Sequence, residues 1–487
     1  MRVLRDYLTE KLDVFAHQDH FLDLNNIDSP GQWIRQVFDV MATRTHADWE
    51  CIAERLLTID RAAASYQALL DEGRRTGHTV AKRQVRAVVK QHRVHAGEAS
   101  FYPSLLAAYD RSPVGGAALR ARLESGVANA RRASAALADW LEGTYLGAAV
   151  AEDAAGRERY LRAAERHLGL RIDPEETYAW GWRQVHEIED AMKRVAAEIR
   201  PASPVPDVID FLMKDPARCA HSHDEFIKLM LERQLYALDK LKGTHFDVPE
   251  PLTRIEVKLA PKGGALGAYY MAPSEDLARA GSVWYSLGEQ ATEPLYSEVS
   301  TAYHEGFPGH HLQCGMQVYL ADRLSRLHRM FVFYPGYSEG WALYAEQLMH
   351  ELGFFERPDY VLGMLQAQLM RACRVVVDIG MHLGLSVPDG EKDFHPGATW
   401  GFDLAVEMMH ARAFLPLDYA ESEVTRYLGW PGQAIAYKVG QREILRLRED
   451  YRRVHGAGAD LKDFHARVVG AGSVRLDLLR EMVLGSA

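Results

Sequence analysis

Apolar residues recur at helical spacing along most of the chain. Between residues 31 and 70, Trp33, Val37, Met41, Ile52, Leu56 and Leu57 keep to one face of a 3.6-residue repeat and predict helix. Residues 115–148, rich in Ala, Leu and Arg, predict a long helix, and 152–168, 177–199 and 221–242 predict three more. The pattern changes near residue 246. Phe246-Asp-Val-Pro-Glu-Pro-Leu252 reads as a linker, and Arg254–Leu259 alternates with period two, as a half-buried strand does. Residues 263–270 and 281–287, bounded by Gly and Pro, predict two further short strands. Helical spacing then returns over 297–325, 338–352, 359–385, 401–411, 418–428 and 432–453. The expectation is a mainly α fold, more than half helix, with a small antiparallel sheet just before a helix that carries a His-Glu pair. A helical N-terminal region, 1–246, is expected to merge with 247–487, the sheet and the catalytic helices, in one integrated fold.

Composition changes this picture little. At 487 residues, 47% hydrophobic and 25% charged, the chain resembles an ordinary soluble enzyme. A net charge of −10 argues against nucleic acid as a partner. The N-terminus lacks an apolar targeting core, and no stretch approaches about 18 apolar residues, so no membrane partner and a cytoplasmic location are expected. Cys51, Cys219, Cys314 and Cys373 form no CxxC pair and read as reduced, buried thiols. Oligomeric state is left open.

The chemistry concentrates in Glu298–Gln313. His304 is followed directly by Glu305, the raw material of a zinc hydrolase helix, but Pro308 stands where HExxH has its second His. In a regular helix His310 would lie about 120° off the His304 face and about 9 Å along the axis. His311 would face correctly but lie about 10 Å away. Imidazoles on one zinc, with bonds of about 2.0–2.1 Å, cannot be so far apart. Pro308 lacks an N–H and clashes with the carbonyl of residue 304, and Gly309 frees the backbone beside it. The expectation is a two-residue bulge that brings His310 to the second-ligand place, with His311 as the alternative. A third ligand is sought in Tyr334–Glu346. Ser338 would cap a helix there, Glu339 would sit in its first turn, and Glu346 returns to the same face. Two acids on an apolar face are costly unless a cation meets them. Glu339 is read as the ligand and Glu346 as orienting a His.

HExxPGHHxQ, then SEGWALYAE and Pro431-Gly-Gln-Ala-Ile-Ala-Tyr-Lys-Val-Gly440, resemble the bacterial domain of unknown function 885 family. They are similar to gluzincin-type zinc metallopeptidases. That resemblance implies a large helical fold with a cleft, a substrate-binding sheet and one zinc ion. His304, His310 and Glu339 would hold the ion, Glu305 would be the general base, and Tyr437 would donate to the oxyanion. It also implies short peptides as substrates. Nitrogen and oxygen donors would accept manganese or cobalt too. The competing readings are a metal-dependent hydrolase of a non-peptide amide or ester, and a non-catalytic helical binding protein with a decayed site.

Other groups read more plainly. Lys438 and Arg442 look like a solvated helix face, although either could take a substrate carboxylate. Arg371, Arg374, Asp378 and His382 share a helix face and suggest an ion-pair network behind the site. His221-Ser-His223-Asp-Glu225 reads as a solvated helix cap. Tyr269, Tyr270, Trp284 and Tyr285 belong to the sheet and its cleft.

Overall fold

The computed structural model describes residues 1–260, 267–287 and 292–485. Helices hold 68% of the chain, which makes the fold mainly α, as expected. It forms two compact units, one of residues 8–155 with 421–430, the other of 1–7, 156–420 and 431–487. The division therefore does not fall at residue 246. Phe246 is buried against Phe307, Trp341 and His465, so the Pro-bearing stretch belongs to the core of the larger unit.

The smaller unit is built on the helices His46–Thr76 and Ala117–Trp140. Trp49, Ile52 and Leu56 pack with Leu119, Leu123 and Val127 in one apolar core. The helical spacing across 31–70 is carried by two helices, Pro30–Val40 and His46–Thr76. Thr45 starts the second with a capping box: Asp48 N–H donates to its hydroxyl at 3.2 Å, and its own N–H donates to the Asp48 carboxylate at 2.8 Å.

In the larger unit, helix Pro174–Ile199 packs along Pro358–Leu383, and Pro335–Glu351 packs along Ala436–His455. The second pair meets on glycine. A Cβ on Gly440 would stand 2.1 Å from the carbonyl oxygen of Gly336, and one on Gly340 would stand 2.5 Å from the carbonyl carbon of Gly440. Only glycine lets backbones come this close. The seam brings Tyr437 and Lys438 beside the helix of Glu339 and Glu346.

The sheet has three strands, with Gly281–Ser286 in the centre. Gly267–Met271 runs antiparallel to it and Ile255–Leu259 parallel. Residues 263–266 of the expected second strand lie outside the described residues. Ile255, Val257, Val283 and Tyr285 pack on Phe226 and Met230 of helix His223–Leu241 and on Ala302, seating the sheet against helix Glu298–Glu305. A separate antiparallel pair joins Cys219–Ala220 to Glu293–Pro294.

Candidate metal centre

The expected bulge is a complete break: one helix ends at Glu305 and another, His310–Tyr319, begins after a four-residue turn. Pro308 cannot donate to continue the first helix. The chain also doubles back so tightly that a Cβ on Gly309 would stand 2.0 Å from the carbonyl oxygen of His304. The Phe307–Pro308 peptide is cis. Backbone groups left over at a helix end must find partners, and distant side chains supply them. Gln234 donates to the Ala302 carbonyl and accepts from Phe307 N–H at 2.6 Å. Trp341 Nε1 donates to the Pro308 carbonyl at 2.9 Å, tying the turn to the Glu339 helix.

The break does what a regular helix could not. The His304 and His310 rings stand 5.0 Å apart and nearly perpendicular. Each Nε2 lies 3.4 Å from the same atom, Glu339 Oε2. Tetrahedral zinc with bonds of about 2.0–2.1 Å has ligand–ligand edges of about 3.4 Å, so both distances match such an edge. Glu339 Oε2 is buried and makes no hydrogen bond among the described residues. Two imidazole nitrogens around an unpaired carboxylate oxygen are a donor set that fits a divalent ion. Glu305 stands slightly farther back, its Oε1 3.9 Å from His304 Nε2. His304, Glu305 and His310 all offer donor atoms within 4.8 Å of one another.

Glu346 fixes the tautomer of His304. His304 Nδ1 donates to Glu346 Oε1 at 2.7 Å, which leaves the Nε2 lone pair facing Glu339. Ser300, one turn before His304, donates to the other oxygen at 2.7 Å. Burial opposes charge on His304 and His310, yet the neighbouring carboxylates outweigh it and raise both above the ordinary imidazole value. Burial also opposes ionisation of Glu339, and the two imidazoles overcome it, holding that carboxyl well below its usual range. The pocket is thus built to welcome positive charge. Burial raises Glu305.

His311 points elsewhere. Its Nε2 donates to the Leu252 carbonyl at 2.8 Å, and its Nδ1 accepts from Tyr270 at 3.1 Å. Burial pushes it down to about 4, so it is a neutral tether between helix and sheet. Ser338 is no cap: the helix starts at Pro335, and Ser338 Oγ donates to Gln313 at 2.7 Å. Tyr437 lies nearly parallel to the His304 ring at 6.4 Å, with the guanidiniums of Arg371 and Arg374 at 5.9 and 4.8 Å from its centroid. Lys438 is not solvated. It is buried, it donates to Gln368 and Gln441, and burial lowers its pKa to about 8. Arg442 pairs with Glu443 and covers Trp180. Asp378 accepts from Tyr160 and from Gly432 N–H, with His382 at 3.7 Å, in a buried polar network. Ser222 and Glu225 cap the helix beside His221 and His223, as expected. Tyr269 stacks on Trp284. All four cysteines are free, but Cys51 is exposed and Cys314 half-buried. Sequence reasoning missed Ser300, whose i, i+4 spacing from His304 was a readable signal, and Gln234, which had none.

Fold and site together define a mainly helical protein with a buried pair of histidines gathered around a carboxylate. The chain belongs to the family of bacterial proteins of unknown function DUF885, whose model matches residues 1–483. Its fold is similar to that of a putative lipoprotein from Colwellia psychrerythraea, with a TM-score of 0.82 and 26% identity over 94% of this chain and 80% of the other. It is also similar to a putative lipoprotein of unknown function from Shewanella oneidensis, with a TM-score of 0.65 and 18% identity over 94% and 83%. No curated protein matches the chain. Among the described residues no helix is long and apolar enough to cross a membrane.

Proposed function

We propose that the chain is a zinc-dependent hydrolase of short peptides, similar in its chemistry to the gluzincin-type metallopeptidases. The observation that carries this reading is Glu339 Oε2, buried, unbonded among the described residues, and 3.4 Å from two imidazole nitrogens. His304, His310 and Glu339 would hold the ion, and manganese or cobalt would suit the same donors. Such an ion supplies Lewis acidity, acidifying a water and polarising a carbonyl oxygen.

The remaining work falls to side chains. Glu305, raised by burial, takes a proton from the attacking water and passes it to the leaving amine. Glu346 and Ser300 keep His304 in one tautomer and one orientation. Tyr437, against the His304 ring, donates to the oxyanion as negative charge develops.

Protein purified without added metal should carry about one divalent ion per chain, and a mixed-peptide digest read by mass spectrometry should show cleavage. Glu305→Gln should keep the ion and lose activity by about 10²–10⁴-fold. Protein without a bound ion that stays inactive on adding zinc would overturn the reading.

A further inference from the structure

Arg371, on helix Pro358–Leu383, is paired in charge with Glu346, but its hydrogen-bonding capacity is only partly filled. Its Nη2 is 3.4 Å from His304 Nδ1, but that nitrogen already gives its proton to Glu346 and has no lone pair to offer. Glu346 Oε1 is 3.5 Å away, beyond the roughly 2.7–2.9 Å of a charge-assisted hydrogen bond. Glu346 takes its short bonds from His304 and Ser300 instead. Arg371 Nε is buried without a hydrogen-bond partner among the described residues. Glu346 meets this charge without a short hydrogen bond, so the guanidinium keeps donor capacity for a further anion.

Exposure indicates where that anion comes from. His304 and Glu346 keep 4% and 0% of their side-chain surface, whereas Arg371, His310, Glu305 and Glu339 keep 11%, 11%, 12% and 13%. Arg371 therefore belongs with the groups that retain a wetted edge. We propose that Arg371 recognises a carboxylate of the substrate, restricting the site to short peptides or acylated amino acids whose free C-terminal carboxylate lies within two residues of the bond cleaved. This inference rests on the hydrolytic reading above.

The geometry sets the spacing. The His304 ring separates Arg371 from Glu339, with the guanidinium at Nδ1 and the carboxylate at Nε2. An extended chain advances about 3.3–3.6 Å per residue. A carboxylate one or two residues past the scissile carbonyl thus reaches across one imidazole. Beside the metal-facing end of the His304 ring it would instead meet Glu305 and Glu339. A guanidinium presents paired N–H groups in a fixed fork, which suits a carboxylate bound bidentately and not an amide.

The test is calorimetric binding of an N-acetylated tripeptide and of its C-terminal amide to the metal-loaded Glu305→Gln protein. The free acid should bind about tenfold or more tightly than the amide. Arg371→Gln in that background should bring the ratio to about one, and Arg371→Lys should leave it between. Metal content measured on each variant separates loss of carboxylate recognition from loss of the centre. Equal affinities before Arg371 is changed, or a preference that survives Arg371→Gln with the ion in place, overturns the proposal. Turnover of the same two peptides by the wild-type protein is followed separately. Absence of cleavage there counts against the hydrolase, while a carboxylate preference in binding stands or falls on the calorimetry.

Discussion

Glu346 shows how one buried acid sets the state of its neighbours. A fully buried carboxylate is costly unless hydrogen-bonded, and here Ser300 and His304 both bond it at 2.7 Å while Arg371 adds charge at 3.5 Å. Burial alone would raise this acid, but Arg371 and then His304 reverse the shift and keep it ionised. An ionised Glu346 holds the proton on His304 Nδ1 and so keeps Nε2 basic toward Glu339. Glu346→Gln removes that charge with little change of shape. Affinity for zinc should fall by about 10–100-fold, as when other partners of a metal-bound imidazole are replaced. Ser300→Ala should act in the same direction and less strongly. Competition with a chelator measures both. An unchanged affinity in Glu346→Gln would mean that His304 is not a ligand.

Each element is shaped by what it must bring close. The helices Pro335–Glu351 and Ala436–His455 approach on Gly336, Gly340 and Gly440, with backbone facing backbone and no flexible side-chain end to yield. Gly440→Ala therefore forces the helices apart. Urea unfolding should show a loss of about 1–3 kcal/mol, the usual cost of overpacking, with Tyr437 displaced from the His304 ring. Stability within a few tenths of a kcal/mol of the wild type would show that the seam adjusts freely. Local pattern revealed most of these helices, because 3.6-residue periodicity and the turn residues at their ends are properties of the segment itself. It also marked His304, Glu305 and Glu339 as candidates, since adjacency and i, i+7 spacing are local. It did not reveal that the helix ends at Glu305 and restarts at His310, because the groups that satisfy the broken backbone, Gln234 and Trp341, come from far along the chain. Lys438 was misread for a related reason. Its surroundings, Gln368 and Gln441, depend on which helices the glycine seam brings together.

At the scale of the molecule, the two compact units divide where local composition gives no sign, and the apparent linker at Phe246 is core. That core makes stability depend on pH through a group outside the site. His465 is buried between Phe246, Trp341 and Tyr344. Its Nδ1 donates to the His245 carbonyl at 3.0 Å and its Nε2 accepts from Tyr344 at 2.8 Å, an arrangement that requires the neutral ring. Burial lowers its pKa from 6.5 to about 4. Between those values the unfolded chain binds a proton at this position that the folded chain refuses, so stability falls as pH drops through the window. The contribution is complete above about pH 6.5 and lost progressively toward pH 4. One such group changes stability by about 1.4 kcal/mol per pH unit where it is fully engaged. In His465→Gln the amide supplies a donor and an acceptor but cannot titrate. The variant should therefore be less stable than the wild type at pH 7, with the gap narrowing by about 2 kcal/mol at pH 5. Denaturant unfolding at the two pH values measures this directly, and a gap that stays constant would mean that His465 is protonated within the core.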